Sequence, residues 1–587
     1  MREAPLLPFS NFVSRGDIPD RIDIARPRSY IDREVYRLVR QTYRDKSSRL
    51  IPILGSAGTG KTHAYHSFKD KERENRKKLE QVTEEEEIEV SQLEPVDWSI
   101  VYVPSPPASI RVLLHVYTCM IEELGAEILD VVSERLVKEK WGGKKGGIFQ
   151  KPKIDEVIQK GIREFPGVFA DCVKALVLYQ LDKNKKALAE RWLLGEDLED
   201  DELNELGINS VVEEDDVCLA MIKIITDNLD RVLILYFDEL ESPYRMLGET
   251  AEQKFLEILK RLYNEVKGLV ITIAVLKEIW PRILEIADPP LRSRMEPEQD
   301  LKPFSLNDLK IFYSRTMEAF WDNNNLNPPL YPLFPINEKI IEMIYEKTQG
   351  NPRNSIKLCR RFIDKVVMEE MTIEELMKAG SEIVASPRPP TREAEEEVID
   401  FSKPREVVKK TIEEILAEEE YAIDVNPSSV AGAALKSIIK VGEEKGIKFK
   451  TQMEFKFKLG KRSQTLAALI DTKDKKWGLE IPSIKTFDRS AGVAGYYAAK
   501  RLKDAIDENA IDAAILIVPT GSSGAKFEMI LENNQNIRKV EINNELGEQL
   551  IANALSYPTK EGWNIAKIIF PDIGDYKPPE EETPSED

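Results

Sequence analysis

Apolar residues in this chain come in short unbroken runs set between amphipathic stretches. "RLIPIL" ahead of Gly55, "DWSIVYVP" ahead of further prolines, "RVLILYF" at 231–237 and "LVITIAVL" at 269–276 are rich in aliphatics and bounded by turn formers. That is the pattern of strands buried on both faces. Between them "DREVYRLVRQTYRDK", "SIRVLLHVYTCMIEELG" (stopped by Gly125) and "TAEQKFLEILKRLYNEVKG" carry apolar positions at helical spacing. Strands alternating with helices predict an α/β fold, a parallel sheet layered with helices. Residues 68–95 read as a polar helix or coil. Residues 126–215 read as a mainly helical insertion containing the basic loop "KWGGKKGGIFQKPK".

From Ser305 the period becomes helical, in "SLNDLKIFYSRTMEAFW", "NEKIIEMIYEKTQG" and "NPRNSIKLCRRFIDKVVMEE". A Pro-rich, charged stretch, "SPRPPTREAEEE", then reads as a linker. The expected organisation is an N-terminal segment 1–48, an α/β core 49–300 interrupted by the insertion 126–215, a helical unit 301–385, a linker 386–425, a second α/β unit 426–572, and an acidic disordered tail 573–587.

Composition narrows the function classes. The 587 residues exceed what one hydrophobic core organises, and 32% are charged with a net charge of −20, so the surface is well solvated. No run is apolar enough to span a bilayer and the start lacks the build of a signal peptide, so a cytoplasmic protein without membrane contact is expected. Four scattered cysteines and three histidines offer no zinc spacing and no disulfide framework. The Lys- and Glu-rich, Cys-poor mix suggests a heat-adapted source. Against the acidic total, residues 445–503 hold 15 Lys and Arg against 5 Asp and Glu. This basic island fits either a nucleic-acid contact or a solvated lysine face.

The chemistry concentrates at Gly55-Ser56-Ala57-Gly58-Thr59-Gly60-Lys61-Thr62-His63, which satisfies G-x-x-x-x-G-K-[ST] between an expected strand and an expected helix. Glycines let backbone N–H groups crowd round phosphates, and the helix turns its positive end toward them. Lys61 would reach the outer phosphates and Thr62 would hold Mg²⁺ through its hydroxyl. "VLILYFDELES" supplies the partners: Asp238 at the end of an apolar strand for the Mg²⁺, and Glu239 for an attacking water.

The order of these motifs resembles an AAA+ P-loop ATPase, in particular the branch of origin-recognition initiators and related archaeal ATPases, from about Pro27 to Lys365. The resemblance implies ATP and Mg²⁺ as cofactors, hydrolysis, and work on DNA in processing, loading, replication or repair. It implies that "YIDREVYRLV" frames the adenine, with Ile31, Asp32 and Arg33 bordering the base. "DPPLRSRMEP" resembles the segment carrying an arginine finger, which would make Arg294 (Arg292 in reserve) reach a neighbouring subunit of a homo-oligomer or a partner protein. "TQGNPRNSIKLC" resembles the lid signature, with Arg353 reaching back to the nucleotide. The chain departs from the family where "LVITIAVLKE" should end in a polar residue that orients water: the positions read Val275-Leu276, and Thr272 or Lys277 would serve only in a shifted register. Slow hydrolysis is the expectation.

In the second unit, "TLAALIDTKDKKWGLEIPSIKTF" and the helix and strand after it resemble the PD-(D/E)xK nuclease-like fold. Glu480 matches one acid of that pattern, but Pro482 stands where the lysine belongs and the first Asp falls near Ala467 or Ala468. The expectation is a scaffold that does not cleave, meeting DNA through Lys456, Lys458, Lys461, Arg462 and Lys485. Two alternatives stand beside it: an ATP-dependent nuclease in which Asp471 and Glu480 share a metal, and a nucleotide-gated protein-binding switch.

Overall fold

The computed structural model describes residues 22–368 and 425–576 together with 7–9, apart from interruptions at 25, 83–95, 105–110, 143–152, 166–169, 197, 213, 241–248, 330, 426, 461, 483, 485–486, 488–489 and 553–558. The Pro-rich stretch 386–397 and the tail from 577 lie outside the described residues, as do Lys461 and Lys485.

Each apolar run of the first half is a strand: β1 (Arg49–Gly55), β2 (Trp98–Pro104), β3 (Val232–Asp238) and β4 (Leu269–Leu276). A two-residue β5 (Gln299–Asp300) completes a parallel sheet of order β2-β3-β4-β1-β5. Every residue of β3 and β4 is buried, which is why they read as unbroken apolar runs. The strand β5 has no such run and leaves no trace in the sequence.

Pro52 sits in β1 without disrupting the sheet. Leu50 and Leu54 carbonyls accept from Glu296 N (2.8 Å) and Leu301 N (2.7 Å) on the β5 side. By strand alternation the N–H that Pro52 lacks would face that same, thinly paired side.

Helices α1 (Ser29–Asp45) and α2 (Lys61–Val82) cover one face, burying Ile31, Val35 and Phe68 against Ile51, Ile53 and Tyr236. The reading of a helix or coil to residue 95 holds as helix up to Val82; 83–95 is outside the described residues. On the other face lie α3 (Val112–Leu124) and the helical insertion. The insertion is part of the core rather than an appendage, because Trp141, Leu176 and Trp192 share one cluster with Val101, Leu235 and Phe237.

Beyond the sheet, helices Leu306–Asn323, Glu338–Thr348 and Pro352–Val367 pack around Leu309, Tyr313, Ile341 and Cys359. Their starts are capped by the side chains of Ser305 (a capping box with Asp308), Asn337 and Asn351. Phe9 of the N-terminal segment stacks on Tyr313 within this cluster, at 5.2 Å between ring centroids.

The second α/β unit holds β6 (Lys450–Leu459), β7 (Arg462–Asp471), β8 (Lys476–Glu480), β9 (Ala513–Pro519) and β10 (Ile537–Ile542), in the order β10-β9-β8-β7-β6. The β6–β7 and β7–β8 pairs are antiparallel; β8, β9 and β10 run parallel. Helices Pro427–Glu444 and Lys560–Ile569 pack in one core, and Gly492–Asp507 in the other.

Candidate nucleotide site

The site lies at the C-terminal edge of the first sheet, where β1 runs into the glycine-rich turn and α2 begins at Lys61. The turn is closed by Thr59, whose backbone N and hydroxyl both donate to the Ser56 carbonyl, at 3.2 Å and 2.8 Å. Gly58 and Gly60 have φ of +72° and +96°, a conformation that costs a side-chain-bearing residue roughly 1–2 kcal/mol. Such a turn aims successive N–H groups at one point, the geometry of an anion cradle.

Lys61 is 9% exposed and its ammonium donates to the Gly55 carbonyl at 3.2 Å, so its stem lies along the inside of the turn. The Thr62 hydroxyl donates to Asp238 Oδ2 at 2.6 Å. That contact joins the two motifs the sequence singled out, 176 residues apart. The Tyr102 hydroxyl donates to the same oxygen at 3.0 Å, from the neighbouring strand position. Beneath them Tyr236 donates to the Lys61 carbonyl at 2.6 Å. Burial, reinforced by the Asp238 charge, raises both phenols well above the ordinary tyrosine range, so both remain hydrogen-bond donors.

Asp238 is 1% exposed. Glu239, next along the chain, has φ +55° and its N–H donates to Asp238 Oδ1 at 3.0 Å. A left-handed non-glycine residue at the end of a buried strand is held strain, and it sends the second carboxylate in a direction β3 would not.

The helical group closes on the turn. Arg353 N donates to the Gly58 carbonyl at 3.2 Å, and Asn351 Nδ2 donates to the Ala57 carbonyl at 2.7 Å. The approach is tight: a Cβ added at Gly58 would lie 2.7 Å from Arg353 Cβ. Arg353 therefore lies beside the cradle through its backbone and Cβ.

A network absent from the sequence reading borders the first turn of α2. Asp23 faces His63 Nε2 at 3.0 Å and accepts from Arg28 and Ser67, while its carbonyl accepts from Arg315 of the helical group at 2.9 Å. Burial alone would raise the Asp23 carboxyl, but hydrogen bonds from His63 and Arg28 outweigh it and hold the group well below the usual carboxylate range. Of the residues expected to border a base, Ile31 is instead fully buried in the core, Asp32 pairs with Arg28 (3.6 Å) and Lys71, and Arg33 is exposed.

The missing polar residue at the end of β4 is real. Val275 and Leu276 are fully buried, Leu276 pairs with Gly55, and Thr272 lies mid-strand opposite Ile51 and Tyr236. Lys277 follows the strand, but its ammonium is held by Asp300 at 2.8 Å. Arg294 lies half-buried over the Tyr263 ring at 5.7 Å, and Arg292 is exposed.

In the second unit Glu480 is fully buried and accepts from Arg501 Nη2 (3.2 Å), Arg111 Nη2 (3.2 Å) and the Ala467 N–H (3.0 Å). The strand register separates Asp471 and Glu480, against the expectation that they share a metal. Asp471 pairs with Lys476 at the turn end of β7, while Glu480 lies opposite the Ala467 region, four residues away along the strand. At a rise of about 3.3 Å per residue that is roughly 13 Å, too far for one ion. Among the described residues no group of three or more His, Cys, Asp or Glu is placed to hold a metal. No helix among them is long and apolar enough to cross a membrane.

No family model matches the chain, and no curated protein matches it. Solved structures do. The Walker-type ATPase PABY2304 of Pyrococcus abyssi is 16% identical over 63% of this chain and 73% of its own, with a TM-score of 0.27. The ORC2 protein of Aeropyrum pernix in its ADP form is 12% identical over 74% of this chain and 78% of its own, with a TM-score of 0.33. The Drosophila ORC bound to DNA is 12% identical over 75% of this chain and 72% of its own, with a TM-score of 0.28. These likenesses are too weak to assign a family or an activity.

Proposed function

We propose that this chain binds and hydrolyses ATP in the manner of an AAA+ P-loop ATPase, slowly, and couples the nucleotide to DNA processing, loading, replication or repair. The observation that carries the reading is the Thr62–Asp238 contact beneath the Gly55–Thr62 turn. A hydroxyl and a carboxylate from two distant motifs converge at the mouth of an N–H cradle, the donor set that Mg²⁺ and a triphosphate require.

The residues fit that cargo. Backbone N–H groups from Gly58 to His63 would bind the phosphates, with Lys61 swinging from the Gly55 carbonyl to the outer ones. Thr62 and Asp238 would hold Mg²⁺, which supplies neutralisation of charge on the phosphate oxygens. Glu239 would orient and deprotonate the attacking water. The helical group would act as a lid, with Arg353 beside Gly58 stabilising charge as the phosphoryl group leaves. Arg294, with Arg292 nearby, would complete a neighbouring copy's site, so that assembly licenses turnover. Apolar Val275 and Leu276 leave water without a second orienting group, which supports slow hydrolysis. The basic island supports DNA as the partner of the second α/β unit, which would not cleave because Glu480 is held by two arginines.

Titration calorimetry of the full chain with ATP and Mg²⁺ tests the reading. Saturable binding is expected, and Lys61→Ala should weaken it by about 10- to 100-fold, the worth of a hydrogen bond to a charged group. No heat with ATP or GTP would end the proposal.

A further inference from the structure

The second α/β unit meets the helical insertion through opposite charges. Lys526 pairs with Glu199 at 2.9 Å, and Lys500 lies 3.8 Å from Asp200. Burial raises the carboxyls of Glu214 and Asp215, and the charge of Lys456, on the edge strand β6, opposes the shift in both. The acids come from the segment around "EDLEDDELNE" and its continuation, and the lysines belong to the basic island or its flank. Two runs of opposite sign that stand far apart in the sequence are thus face to face.

A buried contact lies among these exposed ones. Arg111, the residue before α3, sends its guanidinium to Glu480 and to the Thr465 carbonyl, both at 3.2 Å, and its N–H donates to Glu454 at 2.6 Å. Lys254 of the first unit also pairs with Glu454. Arg111 and Glu454 are both non-glycine residues with positive φ, +52° and +49°. Two strained backbones meeting at one hydrogen bond mark a contact that the rest of the fold maintains at a cost. Arg111 is also tied to the nucleotide edge of the sheet: His115, one turn along α3, faces the Pro104 carbonyl at 2.7 Å, and Pro104 lies opposite Asp238.

We propose that the acidic face of the insertion is an internal stand-in for a polyanion, latched over the lysine face of the second unit by Arg111 against Glu480, so that a DNA backbone and the insertion compete for the same lysines. The proposal rests on the DNA reading above and adds its regulation. Lysine ammonium groups donate to carboxylate or phosphate alike as point charges, so Glu199 and Asp200 occupy sites that phosphates would take. The resting chain is closed to DNA, and movement at the Pro104–Asp238 edge reaches the latch through α3.

The test uses full-length protein carrying a donor and an acceptor dye at Lys183→Cys and Glu532→Cys, both exposed positions, in a Cys119→Ser background. Energy transfer reports closure, and anisotropy of a short labelled duplex reports binding. Arg111→Ala should lower transfer and raise duplex affinity by about tenfold or more, one decade for each 1.4 kcal/mol of latch removed. The surface pair Glu199→Lys with Asp200→Lys, which leaves the buried contact intact, should raise affinity as well, and adding Lys456→Ala and Lys500→Ala should cancel the gain. A parental far-ultraviolet circular dichroism spectrum and a single cooperative unfolding transition in each variant verify the fold. Unchanged transfer in Arg111→Ala would overturn the latch. Opening without any gain in duplex affinity would overturn the competition, and an absence of duplex binding in every variant would remove the DNA reading itself. Polyglutamate at equal charge should displace the duplex, because carboxylate and phosphate contend for the same lysines, and a duplex that polyglutamate leaves in place would also overturn the competition.

Discussion

The hydroxyl of Thr62 and the carboxylate of Asp238 stand 2.6 Å apart, joined by a proton that Thr62 donates. Neither residue is special alone: threonines open many helices, and aspartates end many strands. Their convergence depends on β1 and β3 running parallel with only β4 between them, so that both C-terminal ends open on the same edge.

Glu239→Gln keeps the shape of the side chain and removes its basicity. Nucleotide affinity should stay within about threefold while phosphate release falls by about 10²–10⁴-fold, the usual range for loss of a general base. Single-turnover measurements read both. Turnover at the parental rate would assign Glu239 a purely structural role.

Tyr102→Phe removes one of two hydroxyl donors from a buried carboxylate. The unliganded protein should lose about 1–3 kcal/mol, visible as a lower urea midpoint for the transition that exposes the first sheet. Added Mg²⁺ and ATP should recover part of the loss, because they supply Asp238 with charge compensation. An unchanged midpoint would mean that the Tyr102 hydroxyl contributes nothing there.

Gly58→Ala introduces a methyl group 2.7 Å from Arg353 Cβ at a residue with φ +72°. The turn and the lid cannot both keep their positions. A fluorescent ATP analogue should dissociate about 5- to 30-fold faster, since strain of roughly 1–2 kcal/mol now acts on the contact beside the cradle. An unchanged dissociation rate would show that the Arg353–Gly58 contact does not govern release.

Asp504 gives a pH signature. Burial is the main cause raising its carboxyl from 3.8 to about 6; Lys500 opposes the shift and Asp200, across the cleft, adds to it. The folded value lies above the unfolded one, so ionised Asp504 opposes folding above pH 6, and the opposition fades as pH falls toward 4. Asp504→Asn should therefore be more stable than the parent at pH 7, with the difference vanishing by about pH 4. Denaturant titrations at the two pH values decide it, and a difference that grows on acidification would reverse the sign.

What the sequence disclosed and what it withheld follow from the range of the interactions. The glycine-rich turn, β3 and the helices after Ser305 are legible because glycines, buried aliphatics and caps act over a few neighbouring residues. Tyr102 was not, because its partner lies 136 residues on and a tyrosine in a strand ordinarily signals packing. The Asp23–His63 pairing was hidden for the same reason, within a segment of no clear period. The family resemblance implies Ile31 beside the base, but its helical position turns it into the core, where apolar burial outweighs the motif's suggestion. Glu480 was found as an isolated acid, yet its partner Arg111 comes from 369 residues away in the other unit. No local pattern encodes such a pairing.

The hydrogen bonds from Arg353 and Asn351 to the carbonyls of Gly58 and Ala57 fasten roof to floor. In a chain that binds nucleotide there, traffic of ligand in either direction would wait for both fastenings to part. Under the proposed ATPase reading, the interval between capture and release would then be written in two backbone oxygens.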